Sequence, residues 1–185
     1  MVRSSAAYVV ASAALIGSIG AMSADVEAQN DEATRSSRSV TSPDAKVRGV
    51  SARIVALIGQ ATGRSKTFRD VVNQISGTDG IVYVAEGSCG HDVRACLLFS
   101  ITTAGTNRVL RVLVDTSARD DDLIGSLAHE LQHALEVLSV QYIRTDAAMA
   151  LLYRRIGHGV GRRFETEAAV RVGDSVRAEL RQRHP

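Results

Sequence analysis

The chain has 185 residues, 45% of them apolar and 23% charged, with a formal net charge of +2. That length holds one modest core, or one domain with a tail, and excludes a multidomain enzyme. Balanced charge, no Trp and 4% aromatics give no polyanion-binding or base-stacking signal, so no nucleic-acid partner is expected; two cysteines exclude a four-cysteine zinc ribbon.

The N-terminus reads Met1-Val2-Arg3, then runs uncharged from Ser4 to Ala24 with abundant Ala, Val, Leu and Ile. One positive charge, an apolar stretch and small residues before a polar segment describe a secretory signal peptide. Cleavage fits after Ser23 or, with small or apolar residues at both required positions, after Ala28. A retained anchor is the competing reading, but Gly17, Gly20 and several Ser interrupt the apolar run. No other segment approaches the ~20 apolar residues of a spanning helix. Residues 1–28 are therefore read as the signal, 29–42 as a disordered leader and 43–185 as the folded domain, which makes the protein secreted or periplasmic.

Ser42-Pro43-Asp44 is a helix start, with a capping hydroxyl, Pro in the first position and an acid in the first turn. Val47, Val50, Ile54, Leu57, Ile58 and Ala61 follow at helical spacing, predicting one helix that ends near Gly63. Thr67 and Asp70 open a second, short helix carrying Phe68, Val71, Val72 and Ile75. Three strands are then predicted, Ile81–Val84, Cys96–Thr103 and Arg108–Val114, the last two joined by a hairpin turn at Ala104–Asn107. In the last strand Leu110, Val112 and Val114 share one face, and Val109, Arg111 and Leu113 the other. Helices are expected from about Asp121 to Val140, Asp146 to Ile156 and Phe164 to Gln182, with a flexible joint at Gly157–Gly161. The expected class is α+β: N-terminal helices, a small three-stranded, mainly antiparallel sheet, then three helices.

His129-Glu130-Leu131-Gln132-His133 carries the chemistry. On a helix, residues four apart are ~40° apart, so both imidazoles leave one face a turn apart and can share one tetrahedral zinc. Glu130, ~100° from His129, reaches a water at the metal without ligating it. The alternative is a pair of ordinary surface histidines satisfied by nearby carboxylates. Two histidines alone hold zinc weakly, and His158, Glu165, Glu167, Asp174 and Glu179 are the downstream candidates for a third ligand. Glu165 shares its predicted helix face with Ala168, Ala169, Val172 and Val176, the inward side, while Glu167 lies with Arg171 and Asp174. Glu165 is thus the expected ligand and Glu167 the runner-up.

With these residues the chain resembles the gluzincin branch of the zincin metallopeptidases, in order of elements over about residues 43–180 and in motif over His129–His133 plus Glu165. The segment Glu165-x-x-Ala168-Ala169 is similar to the Glu-x-x-Ala-Asp helix of some gluzincins, with Ala169 where many have an aspartate behind a ligand histidine. The resemblance implies a zincin-like fold and zinc-dependent peptide hydrolysis. Zinc on His129, His133 and Glu165 would polarise the scissile carbonyl and acidify a water, whose proton Glu130 would take and pass to the leaving amine. It further implies an oxyanion donor, for which His158 is the first candidate beside Tyr142, Tyr153 and Arg162. A peptide or protein substrate would pair with an edge strand, Cys96–Thr103 or Arg108–Val114. The second reading, from a different class, is a zinc-binding but catalytically weak interaction or regulatory domain of the cell envelope.

Cys89 and Cys96 bracket six residues, and in an exported protein that spacing closes a small disulfide loop between strands. Zinc thiolate ligation fails on number, since His91 and two Cys give three ligands at most. Two packed free thiols are the remaining alternative. The arginines at 154–155, 162–163 and 177–183 read as solvated helix faces first and as a peptide- or envelope-binding surface second.

Overall fold

The structure is a computed structural model and describes residues 44–90, 93–117, 120–159 and 164–182. The expected signal peptide and leader lie outside the described residues, as does Arg162. In chain order the elements are β1 (Val47–Gly49), α1 (Ala52–Arg64), α2 (Lys66–Ser76), β2 (Gly80–Glu86), β3 (Ala95–Leu97), β4 (Thr102–Ala104), β5 (Asn107–Val114), α3 (Asp120–Leu138), α4 (Asp146–Ile156) and α5 (Glu167–Gln182).

The class is α+β, but the sheet has five strands and is mixed, not three strands and mainly antiparallel. Its order is β1-β2-β5-β3, with β4 also on β5; β1–β2 and β2–β5 run parallel, while β3 and β4 run antiparallel to β5. The extra strand at the N-terminus corrects the first predicted helix. Val47 pairs with Val82 and is buried, so its three-residue step to Val50, which imitates a helical period, belongs to a strand and the turn after it. The helix begins only at Ala52, where Ser51 accepts a hydrogen bond from the Ile54 N–H. A cap of this kind stabilises a helix by about 1 kcal/mol. Gly49 permits the tight turn between strand and helix, since a Cβ there would fall 2.7 Å from the Val55 nitrogen. The cap of α2 is likewise Ser65, accepting from the Phe68 N–H, rather than Thr67.

The predicted strand Cys96–Thr103 is two short strands. Between them the chain bulges away from β5: the Ile101 N–H donates to Asp146 Oδ1 at the start of α4, and Phe99 joins Tyr153 and Phe164 at ring separations of 5.5 and 5.6 Å. Aromatic packing and a helix-terminal carboxylate together outweigh two more ladder pairs. The turn at Gly105, with φ of +60°, joins β4 to β5 as expected.

One face of the sheet is buried by the helices. Val82 and Val84 of β2 and Leu110, Val112 and Val114 of β5 have no exposed surface, whereas Arg111 is exposed and Leu113 half-buried, as the alternation predicts. Against that face lies α3, whose predicted apolar stripe of Ile124, Leu127, Leu131, Ala134, Leu135 and Leu138 is entirely in the core. Cys89, just past β2, and Cys96, in β3, form a disulfide. Among the described residues no helix is long and apolar enough to cross a membrane.

Candidate metal centre

Burial of the stripe on α3 fixes the rotation of that helix, and with it the direction of His129 and His133. Their rings meet edge to face at 80°, with Nε2 atoms 3.2 Å apart. Glu165 completes the group: its Oε1 lies 3.1 Å from His129 Nε2 and 3.8 Å from His133 Nε2. A zinc ion with ligands at 2.0–2.1 Å has a tetrahedral edge of about 3.3 Å, the mean of these three separations to within a tenth or two. His129, His133 and Glu165 therefore form a group that can hold a metal ion.

Glu165 arrives by a different route from the one its periodicity predicts. The last helix starts at Glu167, so Glu165 precedes it and lies on an antiparallel bridge with His158. The N–H of each donates to the carbonyl of the other, at 2.7 and 2.8 Å. Helix α5 is then held close to α3 by small residues: a Cβ on Gly173 would lie 3.2 Å from the Gly125 carbonyl oxygen and 3.3 Å from His129 Cβ.

Glu130 lies beside the group, its Oε1 4.0 Å from His129 Nε2. Its Oε2 accepts a 2.7 Å hydrogen bond from the main-chain N–H of Leu97 on β3. Burial pushes its carboxyl up to about 7, with the Glu165 charge adding, against the pull of His133 and the Leu97 N–H. The two histidines are driven apart. Burial and the neighbouring His133 hold His129 below its ordinary value, opposed by Glu165. Burial also opposes charge on His133, but the Glu136 hydrogen bond and the charges of Glu130, Glu136 and Glu165 carry it upward.

The other named residues lie elsewhere. Glu167 points outward and pairs with Arg171 at 3.0 Å, Asp174 pairs with Arg177, and Glu179 accepts from the Ser65 and Thr67 hydroxyls at the start of α2. Tyr153 is committed: its buried hydroxyl donates to the His133 carbonyl at 2.7 Å, which removes it as an oxyanion donor. Tyr142 is exposed past the end of α3. His158 is exposed, and its ring lines a separate hollow on the far side of Glu165. Of the two strands considered for substrate, β5 is interior to the sheet, which leaves β3 at the edge.

Beside the ligands opens a cavity of about 330 Å³, with Glu130 and His133 on its wall. Leu97, Phe99, Tyr153 and Phe164 line it with apolar surface, and the disulfide forms part of its rim. Four participants escaped the sequence reading: Leu97, Phe99, Glu136 and Thr166. Only Glu136 leaves a local signal, three residues beyond His133 on the same side of the helix; the others depend on tertiary contacts. No protein-family model, no curated protein and no solved structure matches the chain.

Proposed function

We propose that this protein is an exported, zinc-dependent peptidase of minimal, gluzincin-like type. The observation that carries the reading is the convergence of His129 Nε2, His133 Nε2 and Glu165 Oε1 at tetrahedral spacing beside a buried carboxyl with a pKa of about 7. Two imidazoles and a carboxylate are a donor set that suits zinc. When bound, zinc supplies a Lewis acid that polarises a carbonyl and acidifies a water molecule. Glu130 serves as the base. Its Oε1 stands 4.0 Å from His129 Nε2, within reach of a water held at the ligand group, and the Leu97 N–H fixes the carboxylate so that Oε1 faces that group. The apolar cavity offers room for a bulky apolar side chain and excludes water from the reacting bond. An edge strand at β3 supports main-chain pairing by an extended peptide.

His158 supports the site through its main chain, which seats Glu165; a donor role for its ring requires the ring to turn into the cavity, and His158→Ala tests that role. Export draws support from the N-terminal sequence and from the disulfide, a bond of oxidising compartments. The second reading, a metal-binding envelope domain without turnover, is favoured by the Leu97 N–H that occupies one oxygen of Glu130.

Zinc content and hydrolysis of a peptide library test both readings. The purified mature chain is expected to hold close to one zinc, lost in His129→Ala and Glu165→Gln and retained in Glu167→Gln. Less than about 0.2 zinc per chain under metal-replete conditions overturns the metal site. Glu130→Gln should keep the zinc and lose roughly 10²–10⁴-fold in hydrolysis. A zinc-loaded chain that hydrolyses nothing selects the envelope-domain reading.

A further inference from the structure

Glu136 lies one turn beyond His133 on α3, nearly buried, and each of its oxygens has a partner. Oε2 is 3.1 Å from His133 Nδ1. Oε1 accepts a 2.6 Å hydrogen bond from the hydroxyl of Thr166, the residue after Glu165. The same Thr166 oxygen accepts the Ala169 N–H at 3.1 Å and so caps α5. We infer that Glu136 and Thr166 are a pair of positioning residues that set the metal-facing nitrogen of His133 and the register of Glu165 against α3.

The chemistry follows from the two contacts. A carboxylate acceptor at Nδ1 places the ring proton there and leaves the Nε2 lone pair directed at His129 and Glu165. The link to Thr166 carries the same carboxylate across to the segment that delivers the third ligand. One carboxylate therefore ties together two ligands that sit on different elements and are 32 residues apart in sequence, in addition to the His158 bridge and the packing of α5 on α3. No side chain of the first turn of α5 can replace it there, since Ala169 is buried and apolar and Glu167 points outward to Arg171.

The inference rests on the metal-binding part of the proposed function and not on hydrolysis, so its test reads zinc affinity. Zinc is titrated into the full chain in competition with a chromogenic chelator, alongside the melting temperature of the metal-free protein and the visible spectrum of its cobalt form. Glu136→Gln keeps the shape but replaces the charged acceptor at Nδ1 with at most a neutral amide carbonyl, whose NH2 then faces the Thr166 hydroxyl in place of an acceptor. It should weaken zinc roughly 10–100-fold, with altered cobalt bands and little change in the metal-free melting temperature. Thr166→Val should weaken zinc by a smaller factor, and Thr166→Ser should restore it.

Glu136→Gln with zinc affinity within about twofold of the parent overturns the inference. So does a Thr166→Ser no better than Thr166→Val, which is the deciding comparison if Glu136→Gln fails to fold. A parent chain that takes up no zinc sinks the metal site and this inference together. A failed peptidase assay leaves the affinity comparison intact.

Discussion

At its C-terminal end, α3 meets the guanidinium of Arg108, a fully buried charge from the start of β5. Nε and Nη2 donate to Asp79, Nη2 to the Leu138 carbonyl, and Nη1 to the carbonyls of Val137, Val140 and Ile143. Those carbonyls belong to the last turn of α3 and the turn that follows it, and one side chain donates to all of them and to its own counter-charge. About one turn earlier lies His133, where the opposite holds. Two imidazole nitrogens face each other at 3.2 Å with the Glu165 carboxylate 3.1 Å from one of them and Glu130 4.0 Å away, and no permanent cation of the described residues stands among them in the way Arg108 does. The first cluster is complete without a ligand. The second is a group that can hold a metal ion.

Arg108→Met breaks the complete cluster while keeping its bulk. It leaves Asp79 with Arg144 alone and removes the donor shared by the Leu138 and Ile143 carbonyls, so the expected loss is about 2–4 kcal/mol in urea unfolding, the cost of leaving buried acceptors without a partner. The zinc site on the same helix should keep its affinity in whatever fraction folds. A loss under about 1 kcal/mol would mean that water reaches those carbonyls and that the contrast between the clusters is false.

The clusters also predict opposite responses to pH in the metal-free protein. The Arg108 hydrogen bonds hold Asp79 below its ordinary value. Its contribution is therefore fully present above about pH 4 and is lost as pH falls through the lowered value. Glu130 is raised from 4.5 to about 7, so between those values the folded state binds more protons than the unfolded one. Stability should fall as pH rises across that window, by about 3 kcal/mol at most. Urea unfolding at pH 4.5 and pH 7.5 in a chelator should show the decline, and Glu130→Gln should flatten it. An equal slope in that variant would assign the decline to His133, since His129, held below its ordinary value, acts in the opposite direction.

Much of this was legible before any coordinates, and the exceptions share a cause. The apolar stripe of α3, the bounds of α4, the turn at Gly105 and the disulfide all depend on contacts local in sequence. The grouping of His129 with His133 was legible too, because four-residue spacing on a helix is a strong geometric constraint. Glu165 was found by a helical periodicity that does not extend to it; the bridge to His158 aims it instead. Three-residue β1 was invisible because the step from Val47 to Val50 imitates a helical period, while Val50 belongs to the turn after the strand. The break between β3 and β4 was hidden because Phe99 leaves the sheet for aromatic partners 54 and 65 positions away. Arg108 opened the predicted last strand with no role assigned to it, and only the end of α3 gives it a reason to be buried.

The smallest expected effect is the sharpest probe of the second cluster. Gly173→Ala on α5 improves helix propensity by about 1 kcal/mol. Its new methyl, however, would sit 3.2–3.3 Å from the Gly125 carbonyl oxygen and His129 Cβ. Both belong to a buried helix and cannot swing aside as a long side chain would. Contacts of 3.2–3.3 Å lie at the mild end of overpacking, about 1–2 kcal/mol, so the two effects nearly cancel and the net loss of stability should stay below about 1 kcal/mol. The displacement does not cancel. Moving α5 outward by a few tenths of an ångström separates Glu165 from His129, and zinc affinity should drop severalfold while the metal-free melting temperature barely changes. The Arg108 cluster does not touch α5 and should register nothing. Unchanged affinity would show that the His158 bridge alone positions Glu165, independently of the helix that follows it.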